Sequence, residues 1–221
     1  MVVFRKSYTP PEFNKKEILR YAQCNGTDIE IEKLVEECLA ECKNAFTYNV
    51  CYCELPIKIK NEEIDLRFIK SDSKALLKNL KGCERIVLFG ATVGIEIDRL
   101  IAKYGRISPA KAVFFQAIGA ERIEALCDLF NHEITARYLA ENLYTRPRFS
   151  PGYGDFALDS QRDIFSVLDC ARQIGLSLND SLLMSPSKSV TAIIGISDKK
   201  TDCKIPCNNC TKADCTFRRN E

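Results

Sequence analysis

The sequence predicts an α+β fold, in which a mainly antiparallel sheet is flanked by long helices. Apolar residues recur at helical spacing before residue 42 and again from Ser108 to about Leu143. Between these segments, residues 47–68 alternate apolar and polar side chains, as antiparallel strands with one solvated face do. The elements do not repeat as strand–helix–strand units, so a doubly wound parallel sheet is not expected.

The first part of the chain contains two predicted helices and then short strands. Residues 9–12, Thr-Pro-Pro-Glu, have the composition of a helix start, and Asn25-Gly26 has that of a helix end. Asp28 is placed to cap a second helix, whose apolar stripe continues to Cys42. In the strand region, Cys51-Tyr52-Cys53 resembles a metal-binding fragment. We assign these cysteines to core packing on a shared face of the strand, because no further ligands lie near them in the sequence.

The remaining elements follow in a clear order. We predict a short helix from Ser71 to Lys81 closed by Gly82, then a buried strand from Glu84 to Ala91 and a helix from Ile95. The longest helix starts at Ser108-Pro109. A helix from Asp159-Ser160 to Gly175 and strands between Leu176 and Ser197 follow it. The last of these, Val190–Ile196, is apolar and β-branched, which is typical of a strand inside a sheet.

Composition excludes several classes of function. The 32 lysine and arginine residues nearly balance 30 aspartate and glutamate residues, so no strong field attracts nucleic acid. No apolar run approaches the roughly 20 residues that span a bilayer, and the N-terminus does not resemble a signal peptide. We therefore expect a cytoplasmic protein without nucleic-acid or membrane partners. In that compartment the scattered cysteines are expected to be free thiols that pack as small apolar groups.

The long helix carries a possible acid–base or metal-binding triplet. Glu124, Asp128 and His132 recur every four residues and lie roughly on one face. The surroundings do not match a known zinc-helix motif, so a solvated helix side is the preferred interpretation.

The segment Thr145–Asp155 is the best candidate for a binding loop. Prolines and glycines exclude regular structure, while two arginines, a tyrosine and an aspartate supply binding groups. Within it, Arg148-Phe149-Ser150-Pro151-Gly152-Tyr153 fits the pattern R-x-x-x-G-Y. Stiff loops with many polar groups are frequent sites of function, although a loop that only packs helix ends together is the structural alternative.

This pattern resembles the signature of the S-adenosylmethionine-binding activation domain of cobalamin-dependent methionine synthase. Ile174–Val190 is similar to the family's I-G-I-S-L-T-E-S segment and the A-M-x-P that follows it, and Arg122–Leu126 resembles a helical R-L-A-E-A-F segment, one residue shorter. The three segments keep the family's order between Gly90 and Ser197. The chain departs from the signature at Gly154–Asp159, where the family has a stretch rich in proline, alanine and cysteine.

The resemblance implies a curved sheet and a set of S-adenosylmethionine-binding residues. Arg148 is expected to pair with the methionyl carboxylate, and Glu124 to accept from the ammonium group. Pro151, Gly152 and Gly154 are expected to bring the backbone close to the ligand, and Tyr153 to pack beside the sulfonium or the corrin.

The resemblance also implies a partner and a role. The protein is expected to support reductive methylation of a cob(II)alamin-containing methyltransferase, with cobalamin carried by that partner and the electron supplied by a separate donor protein. Because no folate, homocysteine or cobalamin module is recognisable, it resembles a stand-alone activation domain. The family's chemistry resides in cofactor and cosubstrate, so the sequence leaves open whether this chain turns over substrate itself.

The C-terminal tail suggests a different chemistry. Cys203, Cys207, Cys210 and Cys215 lie close together in a polar segment, and four thiolates can hold zinc or an iron–sulfur cluster. The alternative is a tail of free thiols. If the tail binds a cluster, the chain is alternatively an electron-transfer protein that serves a corrinoid protein.

We expect an activation-domain-like unit at 1–200, with N-terminal helices and a small sheet at 1–82 and the ligand-binding part at 83–200, followed by the tail at 201–221.

Overall fold

A curved five-stranded antiparallel sheet forms the centre of the protein in a computed structural model, which describes residues 1–9, 11–24 and 28–200. Its strands are β1 (Phe4–Ser7), β2 (Asn49–Pro56), β6 (Arg85–Thr92), β7 (Tyr144–Thr145) and β10 (Ser189–Ser197). They lie in the order β1-β2-β6-β10-β7, and every neighbouring pair is antiparallel. The predicted α+β class is therefore confirmed, and β10 lies inside the sheet as its apolar sequence indicates.

The middle strand, β6, separates two hydrophobic cores. Val87, Phe89 and Ala91 face the first core, whereas Ile86 and Leu88 face the second. Side chains of a strand alternate between its two faces, so a strand covered on both sides must be apolar at nearly every position. This is why residues 86–92 are buried without a polar interruption, apart from Thr92, whose hydroxyl bonds to that of Ser189.

Four helices cover the first core: α1 (Lys15–Tyr21), α2 (Ile29–Cys42), α4 (Glu96–Ile107) and α5 (Pro109–Leu139). Asp28 caps α2 as predicted, with its carboxylate accepting from the Glu30 backbone N–H at 2.8 Å. The helix start predicted at residues 9–12 is wrong. Helix α1 begins at Lys15, because Asn14 provides the capping side chain and accepts from the Glu17 N–H.

Helix α5 is the longest element and forms one wall of the first core. It begins with Pro109 in its first turn, as predicted, where proline loses no intrahelical hydrogen bond. It ends at Leu139, earlier than the predicted Leu143. Asn142 adopts a left-handed backbone conformation with φ of 58°, which turns the chain out of the helix and into β7.

The second core is covered by α3 (Lys74–Asn79), α6 (Ser160–Leu168) and α7 (Cys170–Ile174). Two small antiparallel sheets lie beside them, one made of β3 (Lys58–Lys60), β4 (Glu63–Asp65) and β5 (Lys70–Ser71), the other of β8 (Ser177–Leu178) and β9 (Met184–Ser185). The single helix predicted from Asp159 to Gly175 is divided in two, because Asp169 has a left-handed conformation with φ of 48°.

The cysteines of the described residues are free thiols, and all but Cys24 are buried. Cys51 and Cys53 both face the second core, which confirms their predicted packing role. Within the same residues, no helix is long and apolar enough to cross a membrane.

Candidate functional site

The candidate loop leaves β7 and continues along the edge of β10. Thr145 lies opposite Ile196, the Arg146 N–H donates to the Gly195 carbonyl at 2.8 Å, and Phe149 and Ile193 exchange two backbone hydrogen bonds of 2.9 Å. Three residues, 146–148, thus lie opposite two residues of β10, 194–195. This extra residue has the character of a β-bulge, which turns side chains away from the alternation of a regular strand.

Because of this irregularity, two arginines only two residues apart contact opposite layers of the protein. Arg146 is buried and donates to the carbonyls of Lys81 at 3.1 Å and Lys199 at 3.4 Å, so it holds the end of α3 against the end of β10. Arg148 instead reaches α5. Arg146 is therefore explained by packing, whereas Arg148 is a partly exposed charged group at the surface.

Arg148 is held between two carboxylates of α5. Its Nη2 atom lies 2.5 Å from Oε2 of Glu124, and its Nη1 atom lies 2.6 Å from Oδ1 of Asp128. The side chains of Arg148, Glu124 and Asp128 remain 22%, 33% and 44% exposed, so a ligand in solvent can reach the group. Burial opposes the charge of Arg148, but the adjacent acidic groups outweigh it and raise the pKa of the guanidinium. The trio carries one positive and two negative charges.

Beyond Arg148, the chain folds into a tight turn around Phe156. The Gly152 N–H donates to the Phe156 carbonyl at 2.8 Å, and the Phe156 N–H donates to the Tyr153 carbonyl at 3.0 Å. Phe156 and Pro151 are buried, and Phe156 anchors the turn in the second core, whereas Tyr153 is 67% exposed. The Gly152 N–H group is therefore engaged within the turn. The close approach of the Gly152 backbone to a ligand stays a prediction.

The first two residues of the segment that departs from the family signature contact α3. Gly154 has φ of 57°, and a Cβ atom there would lie 2.7 Å from Cβ of Ala75. The Asp155 carboxylate accepts from Oγ of Ser73 at 2.5 Å and from the backbone N–H groups of Lys74 at 2.8 Å and Ala75 at 3.0 Å. Asp155 therefore caps the N-terminus of α3. These hydrogen bonds, that from Ser73 foremost, lower the pKa of Asp155 to about 2.

The predicted triplet on α5 is divided between two environments. Glu124 and Asp128 bind Arg148, whereas His132 is exposed. The described part of the chain contains no cluster of three cysteine, histidine or carboxylate side chains that would hold a metal ion. Asp128 is the residue that the sequence interpretation missed as a partner of Arg148. Its spacing of four residues from Glu124 was the available signal, since both side chains then lie on one helix face.

The loop presents its groups on an open surface. A cavity of about 830 Å³ lies elsewhere, between α3, β3 and the start of β6, and is lined in part by Lys74, Lys78 and Cys83. Neither Arg148 nor Tyr153 lines it. Since Gly152, Tyr153 and Gly154 are all exposed, we place the candidate site at the surface around Arg148 rather than in this cavity.

A family model described as the activation domain of vitamin B12-dependent methionine synthase matches residues 77–205, more than half of the chain. The chain belongs to this activation-domain family. The match includes Glu124, Arg148 and the whole turn that follows, so the family resemblance of the loop is confirmed. It ends before Cys207, Cys210 and Cys215.

The activation-domain fold extends over most of the chain. A crystal structure of the MetH reactivation domain bound to AdoHcy superposes with a TM-score of 0.65, and the match covers 91% of this chain and 80% of that one at 14% identity. Among curated protein sequences no match is found. The predicted metal ligands Cys203, Cys207, Cys210 and Cys215 lie outside the described residues, as do Pro10 and the predicted helix end at Asn25-Gly26.

Proposed function

We propose that this activation domain binds S-adenosylmethionine at Arg148 and thereby supports reductive methylation of a cob(II)alamin-containing methyltransferase, with methionine synthase as the partner the family indicates. The observation that carries the proposal is the position of Arg148. It is the arginine of the R-x-x-x-G-Y pattern, and it lies partly exposed between two carboxylates, beside a turn that exposes Tyr153. The AdoHcy in the similar crystal structure is a close chemical relative of the proposed ligand.

The charges around Arg148 suit the amino-acid end of S-adenosylmethionine. A guanidinium can bind the methionyl carboxylate through two parallel hydrogen bonds. Glu124 lies 2.5 Å from the same guanidinium, and in this proposal it accepts from the ammonium group. The exposed ring of Tyr153 offers a face to a sulfonium or to the corrin of a partner. In this proposal Pro151, Gly152 and Gly154 bring the backbone of the turn close to the ligand.

The role of the protein is to position the methyl donor, because the reaction itself belongs to S-adenosylmethionine and the partner's cobalamin. One electron reduces cob(II)alamin, the methyl group passes from sulfur to cobalt, and S-adenosylhomocysteine is left. The electron comes from a separate donor protein in this scheme. The partner is methionine synthase or a related corrinoid methyltransferase, and the reaction takes place in the cytoplasm.

Calorimetry with S-adenosylmethionine tests the proposal. Replacing Arg148 by alanine removes a charge-assisted hydrogen-bonding group, so we expect affinity to fall by about tenfold or more. Arg137→Ala is a matched control, because Arg137, which lies on α5, also pairs with a carboxylate, but its partner is Glu54 on β2, two strands from β10. This control should bind like the wild type.

Two results contradict the proposal. One is the absence of binding by the wild type, both alone and with a cobalamin-loaded methyltransferase present. The other is equal affinity of the wild type and Arg148→Ala, which would place the ligand elsewhere. Circular dichroism of both variants is the check that their folds are intact.

A further inference from the structure

The charge around Arg148 exceeds what an amino acid zwitterion needs. The inference drawn from this excess charge rests on the proposed function. The methionyl end of the ligand carries one carboxylate and one ammonium, which Arg148 and Glu124 together balance. Asp128, whose Oδ1 atom lies 2.6 Å from Nη1 of Arg148, then supplies a second negative charge without a counterpart in the zwitterion.

The substrate and the product of methyl transfer also differ by one unit of charge. S-adenosylmethionine carries a positive sulfonium, whereas the sulfur of S-adenosylhomocysteine is neutral. A short aliphatic chain joins the sulfur to the amino acid group of the ligand. The sulfonium therefore lies closer to the groups that bind this amino acid end than the roughly 8 Å over which charges interact at physiological salt. When the ligand carboxylate takes Arg148, the Asp128 carboxylate is left beside the ligand with its charge unpaired.

From this charge balance we infer that Asp128 is a specificity residue, which favours the methyl donor over the demethylated product. Its carboxylate attracts the sulfonium, and it competes with the ligand carboxylate for Arg148 whether or not the sulfur is charged. The competition weakens both ligands, and the attraction compensates only for S-adenosylmethionine. Product formed on the protein is thereby released in exchange for fresh substrate.

Dissociation constants of the two ligands for Asp128→Asn test the inference. Asparagine keeps the shape and removes the charge at a side chain that is 44% exposed, so the fold should persist. We expect the preference for S-adenosylmethionine over S-adenosylhomocysteine to fall by about five- to tenfold, the effect of two unit charges about 6 Å apart in a partly screened site. Asp128→Glu, which retains the charge, should keep most of the preference.

Glu133→Gln is the matched control. Glu133 lies on the same helix with a side chain 39% exposed, but it pairs with Lys6 and Tyr8 instead of Arg148. Its neutralisation changes the net charge equally and should leave the preference unchanged. In the wild type, rising salt concentration should reduce the preference as well, because charge–charge attraction between exposed groups is screened.

The outcomes separate this inference from the proposed function. If Asp128→Asn weakens both ligands equally, Asp128 only positions Arg148 and the inference is overturned while the binding site stands. An equal loss of preference in Glu133→Gln also overturns it, since the effect then follows net charge alone. If the wild type binds neither ligand, the proposed function itself fails and the inference fails with it.

Discussion

Asp155 is the residue whose role differs most from expectation. It lies where the chain departs from the family signature, and the sequence analysis counts it among the binding groups of the candidate loop. Instead its carboxylate receives three hydrogen bonds from the start of α3. Negative charge at a helix N-terminus is favourable, because the N–H groups there lack partners in the helix and carry partial positive charge.

The pKa of Asp155 predicts a specific dependence of stability on pH. The folded-state value of about 2 lies below the unfolded value of about 3.9, so the stabilisation is complete above pH ~4 and is lost as the pH falls toward 2. In Asp155→Asn this contribution is missing, and the melting temperature should be lower than that of the wild type at pH 7. The difference between the two proteins should shrink between pH ~4 and ~2.

Asp159→Asn is the control for this experiment, because Asp159 precedes α6 but makes no capping hydrogen bond with its side chain. Its difference from the wild type should be small and should not follow the same pH course. A difference for Asp155→Asn that is constant over the acid range would contradict the assigned role.

At the scale of elements, the loop and α3 behave as one unit. The turn is tied to β10 by Phe149, to α5 by Arg148 and to α3 by Asp155, while Phe156 anchors it in the second core. Asn79 at the other end of α3 donates to the Pro147 carbonyl at 3.1 Å. The loop is therefore fixed at both ends of α3, which orders its exposed groups before a ligand arrives and reduces the entropic cost of binding.

The contact between Gly154 and Ala75 provides a test of this unit. Gly154→Ala should destabilise the protein by about 1–3 kcal/mol, since alanine is strained at φ of 57° and its Cβ would lie 2.7 Å from that of Ala75. Urea unfolding measures the effect. The double variant Gly154→Ala/Ala75→Gly should recover the part that comes from the steric clash.

Gly105→Ala is the matched control, because the same substitution is expected to have the opposite effect on stability. Gly105 lies in α4, and a Cβ atom there has no neighbour within 4 Å, so alanine should stabilise the helix by up to about 1 kcal/mol. If both variants have the same effect on stability, Gly154 is not required for close approach to α3.

At the scale of the whole molecule, the central sheet unites the two parts of the chain. Strand β2 pairs with β6 from Asn49 to Pro56, so residues before and after position 82 contribute to one sheet and both cores. The family match begins at residue 77, yet the similarity to the crystal structure covers 91% of the chain. The fold thus includes N-terminal strands and helices that the family model does not match.

The cysteine tail predicts a separable metal site. Full-length protein purified without oxygen should contain zinc or iron bound by Cys203, Cys207, Cys210 and Cys215, and a protein ending at residue 200 should contain neither. The truncated protein should still fold, because both described cores are formed by residues before 201. Elemental analysis and visible absorption distinguish zinc from iron–sulfur. Metal-free full-length protein would refute the site. If removal of the tail abolishes activity while S-adenosylmethionine has no effect, the alternative interpretation as an electron-transfer protein is favoured.

Much of the fold was predictable because the signals are local. Alternation marked the strands, Asp28 and Pro109 marked helix starts, and the apolar run of β10 indicated an interior position. The errors have local causes too: Asn14 caps α1 in place of Thr9, and Asp169 breaks a helix whose apolar pattern continues through it. A left-handed residue other than glycine leaves little trace in hydrophobic periodicity.

The sequence by itself determined the family, the α+β class and the loop in which Arg148 lies, because short-range patterns and motif residues carry that information. Only the tertiary structure decided which charges meet. It placed Glu124 and Asp128 around Arg148, buried Arg146 beside the residues that follow α3 and directed Asp155 to a helix N-terminus about 80 positions away along the chain. The physical reason is that an extra residue beside β10 reverses the side-chain alternation, and contacts across the sheet depend on strand register rather than on neighbours in sequence.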